Sequence, residues 1–231
     1  MMKPIYKPTG RAGEYGDYAL NIYTGCNHGC VYCYAAKNAK RWGKDFTHVE
    51  PRPGIIEATK RQLENIKGKT IHLCFTCDPY PAEVDTTVTR KIIKTIKDSG
   101  NHVQILTKGD GSRDFDLLDG NDWFGITLTG ATWEQEPGAT RNISRLLELA
   151  VAKSKDIKTW VSFEPVMDEQ YVLSCIAANS NIFDMIKIGK LNHFRSDINW
   201  GEFGRECERL CKLFERNYYI KEDLRREMEK S

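Results

Sequence analysis

Short runs rich in β-branched and aromatic residues recur along the chain at 18–23, 70–76, 102–107, 123–129, 159–163 and 183–188. Each has the length of a strand, and stretches with helical spacing lie between them. The clearest is 86–99, where Val88, Ile92 and Ile96 fall on one face and Gly100 closes the end. Residues 34–42, ending at Gly43, read as helix, as do 141–153, 168–179 and 202–217, and the charged tail 221–230 reads as a solvated, fraying one. Six strands alternating with helices predict an α/β protein with a parallel sheet and right-handed crossovers. In parallel α/β sheets the chemistry collects where strands end, so the residues just after each run become candidates.

The 231 residues are 40% hydrophobic and 29% charged, without a fixed repeat, which excludes a disordered or low-complexity chain and fits one domain. The opening residues contain no apolar leader-like core, and no later run approaches membrane-spanning length. A cytoplasmic protein with no membrane partner is therefore expected. Net charge is only +2, but residues 1–70 carry 12 basic and 6 acidic side chains and the remainder is net acidic. The basic end can face an anionic partner or form a solvated helix surface around Lys37, Lys40, Arg41 and Lys44.

Eight cysteines in such a chain are expected to be thiols or metal ligands. Cys26, Cys30 and Cys33 form a C-x3-C-x2-C loop in which Gly25 and Gly29 permit close wrapping round a bulky ligand. Soft sulfur donors select zinc, copper(I) or an iron-sulfur cluster. A structural zinc needs a fourth ligand, for which His28 is the local candidate. That alternative describes a nucleic-acid-binding or regulatory protein with a structural metal and no turnover. A 4Fe-4S cluster held by three cysteines instead leaves one iron open to a substrate or cofactor.

The triplet and its aromatic neighbours resemble the signature of the radical S-adenosylmethionine (SAM) enzymes. The resemblance implies an open, partial (β/α)6 TIM-type barrel over nearly the whole chain: an extension at 1–16, the barrel at 17–194 and helices at 195–231. It also implies a 4Fe-4S cluster on Cys26, Cys30 and Cys33, and SAM cleavage to a 5'-deoxyadenosyl radical that abstracts hydrogen from a substrate. An electron donor of flavodoxin or ferredoxin type and a monomeric enzyme are expected with it.

Within that superfamily, Asp78-Pro79-Tyr80, Glu164-Pro165 and Gly189-Lys190-Leu191-Asn192 look most like the spore photoproduct lyase group, whose members reverse a thymine-thymine lesion. Tyr32 and Tyr34 match the tyrosines beside that group's third cysteine, which nominates Tyr32 for cofactor binding and Tyr34 for catalysis. Cys77-Asp78 aligns with a SAM-contacting Ser-Asp pair and Lys108 with a SAM-binding lysine. Thr127 and Thr129, at the end of the fourth strand, are candidates for the ribose or carboxylate of SAM, and Glu164, at the end of the fifth, for the ribose or the substrate. Tyr80, Lys190, Asn192 and His193 are candidates for substrate contact. The lyase's hydrogen-donating cysteine is replaced here by Phe75. Strand alternation sets Cys74 on the face opposite Phe75, leaving Cys77 as the better candidate for a catalytic hydrogen-atom or redox role. With only 25 residues before Cys26 and little net charge, a small or single-stranded nucleic acid is a more natural substrate than a duplex.

Cys175, Cys207 and Cys211 read as core thiols, the last two on an apolar stripe with Phe203, Leu210 and Phe214. Trp123, Trp160 and Phe163 read as sheet core.

Overall fold

The computed structural model describes residues 3–230; Met1 and Met2, where the expected extension begins, and Ser231, at the end of the C-terminal part, lie outside the described residues. Seven parallel strands stand side by side in chain order: β1 (Tyr18–Leu20), β2 (Thr70–Leu73), β3 (His102–Thr107), β4 (Trp123–Thr127), β5 (Lys158–Phe163), β6 (Met185–Ile188) and β7 (Tyr218–Ile220). Every crossover places the next strand beside the last, so the sheet forms a half-barrel with β1 and β7 as its edges. The partial TIM-type barrel expected from the sequence is thus present.

Among the described residues, helices α1 (Tyr34–Arg41) and α2 (Ile55–Leu63) lie between β1 and β2, α3 (Thr87–Asp98), α4 (Asn142–Ser154), α5 (Glu169–Asn179) and α6 (Trp200–Leu213) lie in later returns, and α7 (Glu222–Glu229) follows β7. On α3, Ile92, Ile93 and Ile96 are fully buried, and each contributes about 2 kcal/mol by leaving water. They join one core with Ile71 and Leu73 of β2, Val103 and Ile105 of β3, and Val161 and Phe163 of β5. Alternate strand residues point the other way. His72 and Trp160 lie with their rings 5.7 and 5.8 Å from that of Tyr15, and the Lys187 ammonium sits 4.8 Å from the same ring. Tyr15 reaches this concave face because the chain before β1 bridges Ala19 at Tyr6, ties Ile5 to Gln62 and then makes a 3₁₀ turn over Gly10–Glu14.

Several expected boundaries move. β2 stops at Leu73 because Cys74 adopts a left-handed backbone, φ 69°, which leaves the extended region. β4 ends at Thr127 rather than Thr129. The helix α2 follows Gly54, whose positive φ sets the turn, and buries Ile55, Ala58, Thr59 and Leu63. Strand β7 lies within a region expected to be helical, because three residues are too short to show an alternation. Cys175, Cys207, Cys211, Trp160 and Phe163 are core residues as expected, whereas Trp123 is half-buried.

Candidate functional site

The three-cysteine loop connects β1 to α1 at the carboxyl end of the sheet. Cys33 caps α1, its sulfur accepting the Ala36 N–H at 3.4 Å. The Cys26 N–H donates to the Phe46 carbonyl, and a side chain at Gly25 would collide with the Phe46 and His48 carbonyls. From the other side, the segment after β4 closes on the loop. The Val31 N–H donates to Gln135 at 3.0 Å, the Gly138 N–H donates to His28 at 2.8 Å, and Gly138 leaves no room for a Cβ beside His28.

All three thiols are free and half-buried. Burial, and then the charge of Asp78, pushes the Cys26 thiol well above its ordinary value; burial also raises Cys30, against the nearby Lys108 ammonium. Buried thiols of this kind ionise when a cationic group binds them. The donor set therefore fits a thiophilic iron-sulfur cluster held by three cysteines. Among the described residues, no group of three or more His, Cys, Asp or Glu side chains converges on the position of a single ion. Three thiolates on three separate irons do not require such convergence. His28, the local candidate for a fourth ligand under the zinc alternative, is buried; desolvation lowers its pKa, and its ring sits 3.2 Å from the Tyr80 carbonyl and 3.6 Å from Asp78.

Asp78 and Lys108 do come together beside this loop. Asp78 accepts the Tyr80 N–H at 2.8 Å, the Thr107 hydroxyl at 2.5 Å and the Lys108 N–H at 2.9 Å. Its two oxygens offer about four acceptor positions, so most are filled by the rim itself. The Lys108 ammonium lies 5.5 Å from the centre of the Tyr32 ring, with no ion pair among the described residues. Tyr32 donates to Glu136, which also accepts the Thr129 hydroxyl at 2.9 Å and Arg145 at 2.5 Å. Glu136 and Arg145 are 4% and 1% exposed, and Arg145 further donates to the Thr127 and Thr140 carbonyls. Burial raises the Glu136 pKa, but Lys108 and Arg145 outweigh it and hold the carboxyl below its usual range. Neither Glu136 nor Arg145 was nominated by the sequence, since each sits in an ordinary polar context without a spacing signal. Thr127 and Thr129, nominated for SAM, are both buried, and the Thr129 hydroxyl is spent on Glu136 and the Ala131 N–H.

The chain itself engages several of the remaining candidates. Tyr80 is 3% exposed and donates to Asp114, with Gly109 and Gly111 packed against it, so it is a core residue rather than a substrate contact. Glu164 accepts Tyr15 at 2.9 Å and Lys221 at 2.6 Å. Lys190 is paired with Glu227 on α7, Asn192 donates to the Lys190 carbonyl, and His193 is exposed with a left-handed backbone. Tyr34 is half-exposed and donates to the Phe75 carbonyl at 2.7 Å. Phe75 stacks on His72 at 4.2 Å on the concave face, while Cys74 packs in the core on the opposite face, as expected of the pair. Cys77 is half-buried beside Asp78.

A family model described as "Protein of unknown function (DUF5131)" matches residues 12–210. An uncharacterized protein of Methanocaldococcus jannaschii is 32% identical over 188 residues, covering 74% of this chain and 69% of that protein. Spore photoproduct lyase complexed with dinucleoside spore photoproduct superposes with a TM-score of 0.68 at 13% identity, covering 93% of this chain and 79% of that one. A variant of that lyase with bound AdoMet and the same dinucleoside matches at a TM-score of 0.61, at 15% identity over 84% of this chain and 61% of that one. SuiB of Streptococcus suis bound to its precursor peptide SuiA matches at 0.62, at 12% identity over 87% of this chain and 48% of that one. The chain thus has the half-barrel fold of radical SAM enzymes.

Proposed function

This chain belongs to the DUF5131 family, and from that premise we propose that it is a radical SAM enzyme of the spore photoproduct lyase type. The observation that carries the reading is the set of three free thiols on one loop at the carboxyl end of β1, on a half-barrel of the fold that binds AdoMet in the lyase variant. Cys26, Cys30 and Cys33 would hold a 4Fe-4S cluster with one iron open to SAM. Bound there, the cluster supplies the electron that splits SAM into methionine and a 5'-deoxyadenosyl radical.

The chain's own residues do the rest. Lys108, free of an ion pair among the described residues, offers its ammonium to the SAM carboxylate. Asp78 holds the β2 and β3 ends together through Thr107 and Lys108, and its remaining acceptor position would receive the SAM ammonium. Tyr32, fixed by Glu136, screens the loop from water on the β4 side. To Cys77 and Tyr34, which flank the Phe75 turn, we assign the return or relay of a hydrogen atom. A nucleic-acid fragment is the substrate we assign, because the lyase complexed with a dinucleoside matches over 93% of this chain. A flavodoxin- or ferredoxin-type protein serves as electron donor.

The test is anaerobic reconstitution with iron and sulfide, followed by reduction in the presence of SAM. The expected result is about four irons per chain and release of 5'-deoxyadenosine. A well-folded protein that takes up tetrahedral zinc and no iron would establish the structural-metal alternative instead. Short irradiated DNA added to the assay should change the yield of 5'-deoxyadenosine; an unchanged yield would remove nucleic acid as the substrate.

A further inference from the structure

Just after β2 the chain reads Cys74-Phe75-Thr76-Cys77, a C-x-x-C pair separate from the three-cysteine loop. This is the spacing at which two thiols round a turn reach each other, and at which redox-active dithiols are found. The backbone at Cys74 is left-handed, φ 69°, a conformation that an L residue adopts only when its surroundings enforce it. Glycine would occupy that position without strain, yet the position carries a thiol.

The surroundings that enforce the turn are explicit. The Cys74 N–H donates to the Leu20 carbonyl at 2.9 Å, and the Asn21 side-chain oxygen accepts both the Phe75 and Thr76 N–H groups, at 2.8 and 2.9 Å. Tyr34 donates to the Phe75 carbonyl, tying the turn to the residue after Cys33. The two thiols share neighbours, since both act on the Tyr6 and Tyr23 hydroxyls. They also act on each other: after burial, the Cys77 thiol is the largest influence raising Cys74. Cys74 is 6% exposed and Cys77 is half-buried, so one thiol is open to a reagent and the other waits behind it.

We propose that Cys74 and Cys77 form a redox-active dithiol that closes reversibly to a disulfide by exchange with low-molecular-weight disulfides. The accessible Cys77 thiolate attacks one sulfur of the small disulfide, forming a mixed disulfide and releasing one thiolate. Cys74 then attacks the Cys77 sulfur and displaces the second. Two protein thiols and one small disulfide become one protein disulfide and two small thiols, so the two electrons pass from the protein to the reagent. The assignment uses none of the three loop cysteines, so it does not require the cluster, although Cys77 is shared with the hydrogen-return role proposed above.

The sequence provides a clean readout. Trypsin cuts after Lys69 and Arg90, and the peptide 70–90 contains Cys74 and Cys77 but no other cysteine. Anaerobically purified holoenzyme is equilibrated across a series of glutathione to glutathione-disulfide ratios, quenched in acid, alkylated and digested. The expected result is conversion of this peptide from a doubly alkylated form to an unalkylated form lighter by two hydrogens, fully reversed by dithiothreitol. In the Cys74→Ala protein the same peptide should stop with glutathione on Cys77. A wild-type peptide that keeps both alkyl groups, or that halts at the mixed disulfide throughout the series, overturns the proposal, as does a Cys74→Ala protein that takes up no glutathione at Cys77.

Discussion

The rim of the half-barrel has two halves with opposite electrostatic character. Over β1–β4 the three loop thiols are free and the Lys108 ammonium has no ion pair among the described residues. Over β5–β7 the charged groups are already engaged by the chain: Glu164 by Lys221 and Tyr15, Lys190 by Glu227, and Lys187 by the Glu14 and Tyr15 carbonyls. A strand-end charge is therefore a poor guide to ligand binding until its partner is known. Unpaired charge and soft donors are left over on the β1–β4 side, which is where the proposed cluster and SAM would bind.

The largest effects should come from breaking that side. Cys26→Ala, Cys30→Ala and Cys33→Ala are each expected to lose most of the bound iron, measured by iron analysis, and more than about 1,000-fold of 5'-deoxyadenosine formation, since each removes a ligand to the cluster. Lys190→Ala should leave both within about twofold.

Next in size are the buried charges. Arg145→Met strands Glu136 in a nearly dry site and should destabilise the protein by about 3–5 kcal/mol in urea unfolding. Adding Glu136→Gln to it should recover much of that loss. Lys221→Met, which leaves the less buried Glu164 without its partner, should cost about 2–3 kcal/mol.

Glu148 sharpens the comparison through pH. It accepts the Gly111 N–H at 2.6 Å, but burial, helped by Asp110, pushes its carboxyl up to about 8. Whereas Glu164 is neutralised by a lysine, Glu148 is neutralised by a proton. The folded chain then holds a proton that the unfolded chain releases above its ordinary carboxylate range, so this group lowers stability progressively as pH rises from about 4.5 to about 8. Glu148→Gln should be neutral below pH 4 and should stabilise by roughly 1–3 kcal/mol at pH 8, read from urea midpoints at the two values. The smallest effect belongs to the solvent-accessible Lys190–Glu227 pair, where Lys190→Ala should cost under about 1 kcal/mol.

Much of the architecture was legible in the sequence because it is written in local period and composition. The strand runs, the α3 stripe and the cysteine loop all fall within windows of a few turns. Asp78 and Lys108 were also placed correctly at adjacent strand ends, because parallel neighbours follow from chain order. The partners were not legible. Lys221 stands 57 residues beyond Glu164 and Glu136 stands 104 beyond Tyr32, distances over which no periodicity operates. The burial of Tyr80 was not legible for a related reason: Gly109 and Gly111 open a space for the ring that only the folded β3 end reveals. Cys74 does lie opposite Phe75, but its left-handed backbone puts Phe75 on the same side as His72, which a regular strand alternation would not do.

The central claim is that the β1–β4 side holds a cluster with an iron open to SAM. Electron paramagnetic resonance of the anaerobically reconstituted, reduced protein tests it most directly. The account predicts a 4Fe-4S signal that changes on addition of SAM, with the SAM-induced change weakened in Lys108→Met while the underlying signal persists. A fully loaded cluster whose spectrum is indifferent to SAM would contradict it.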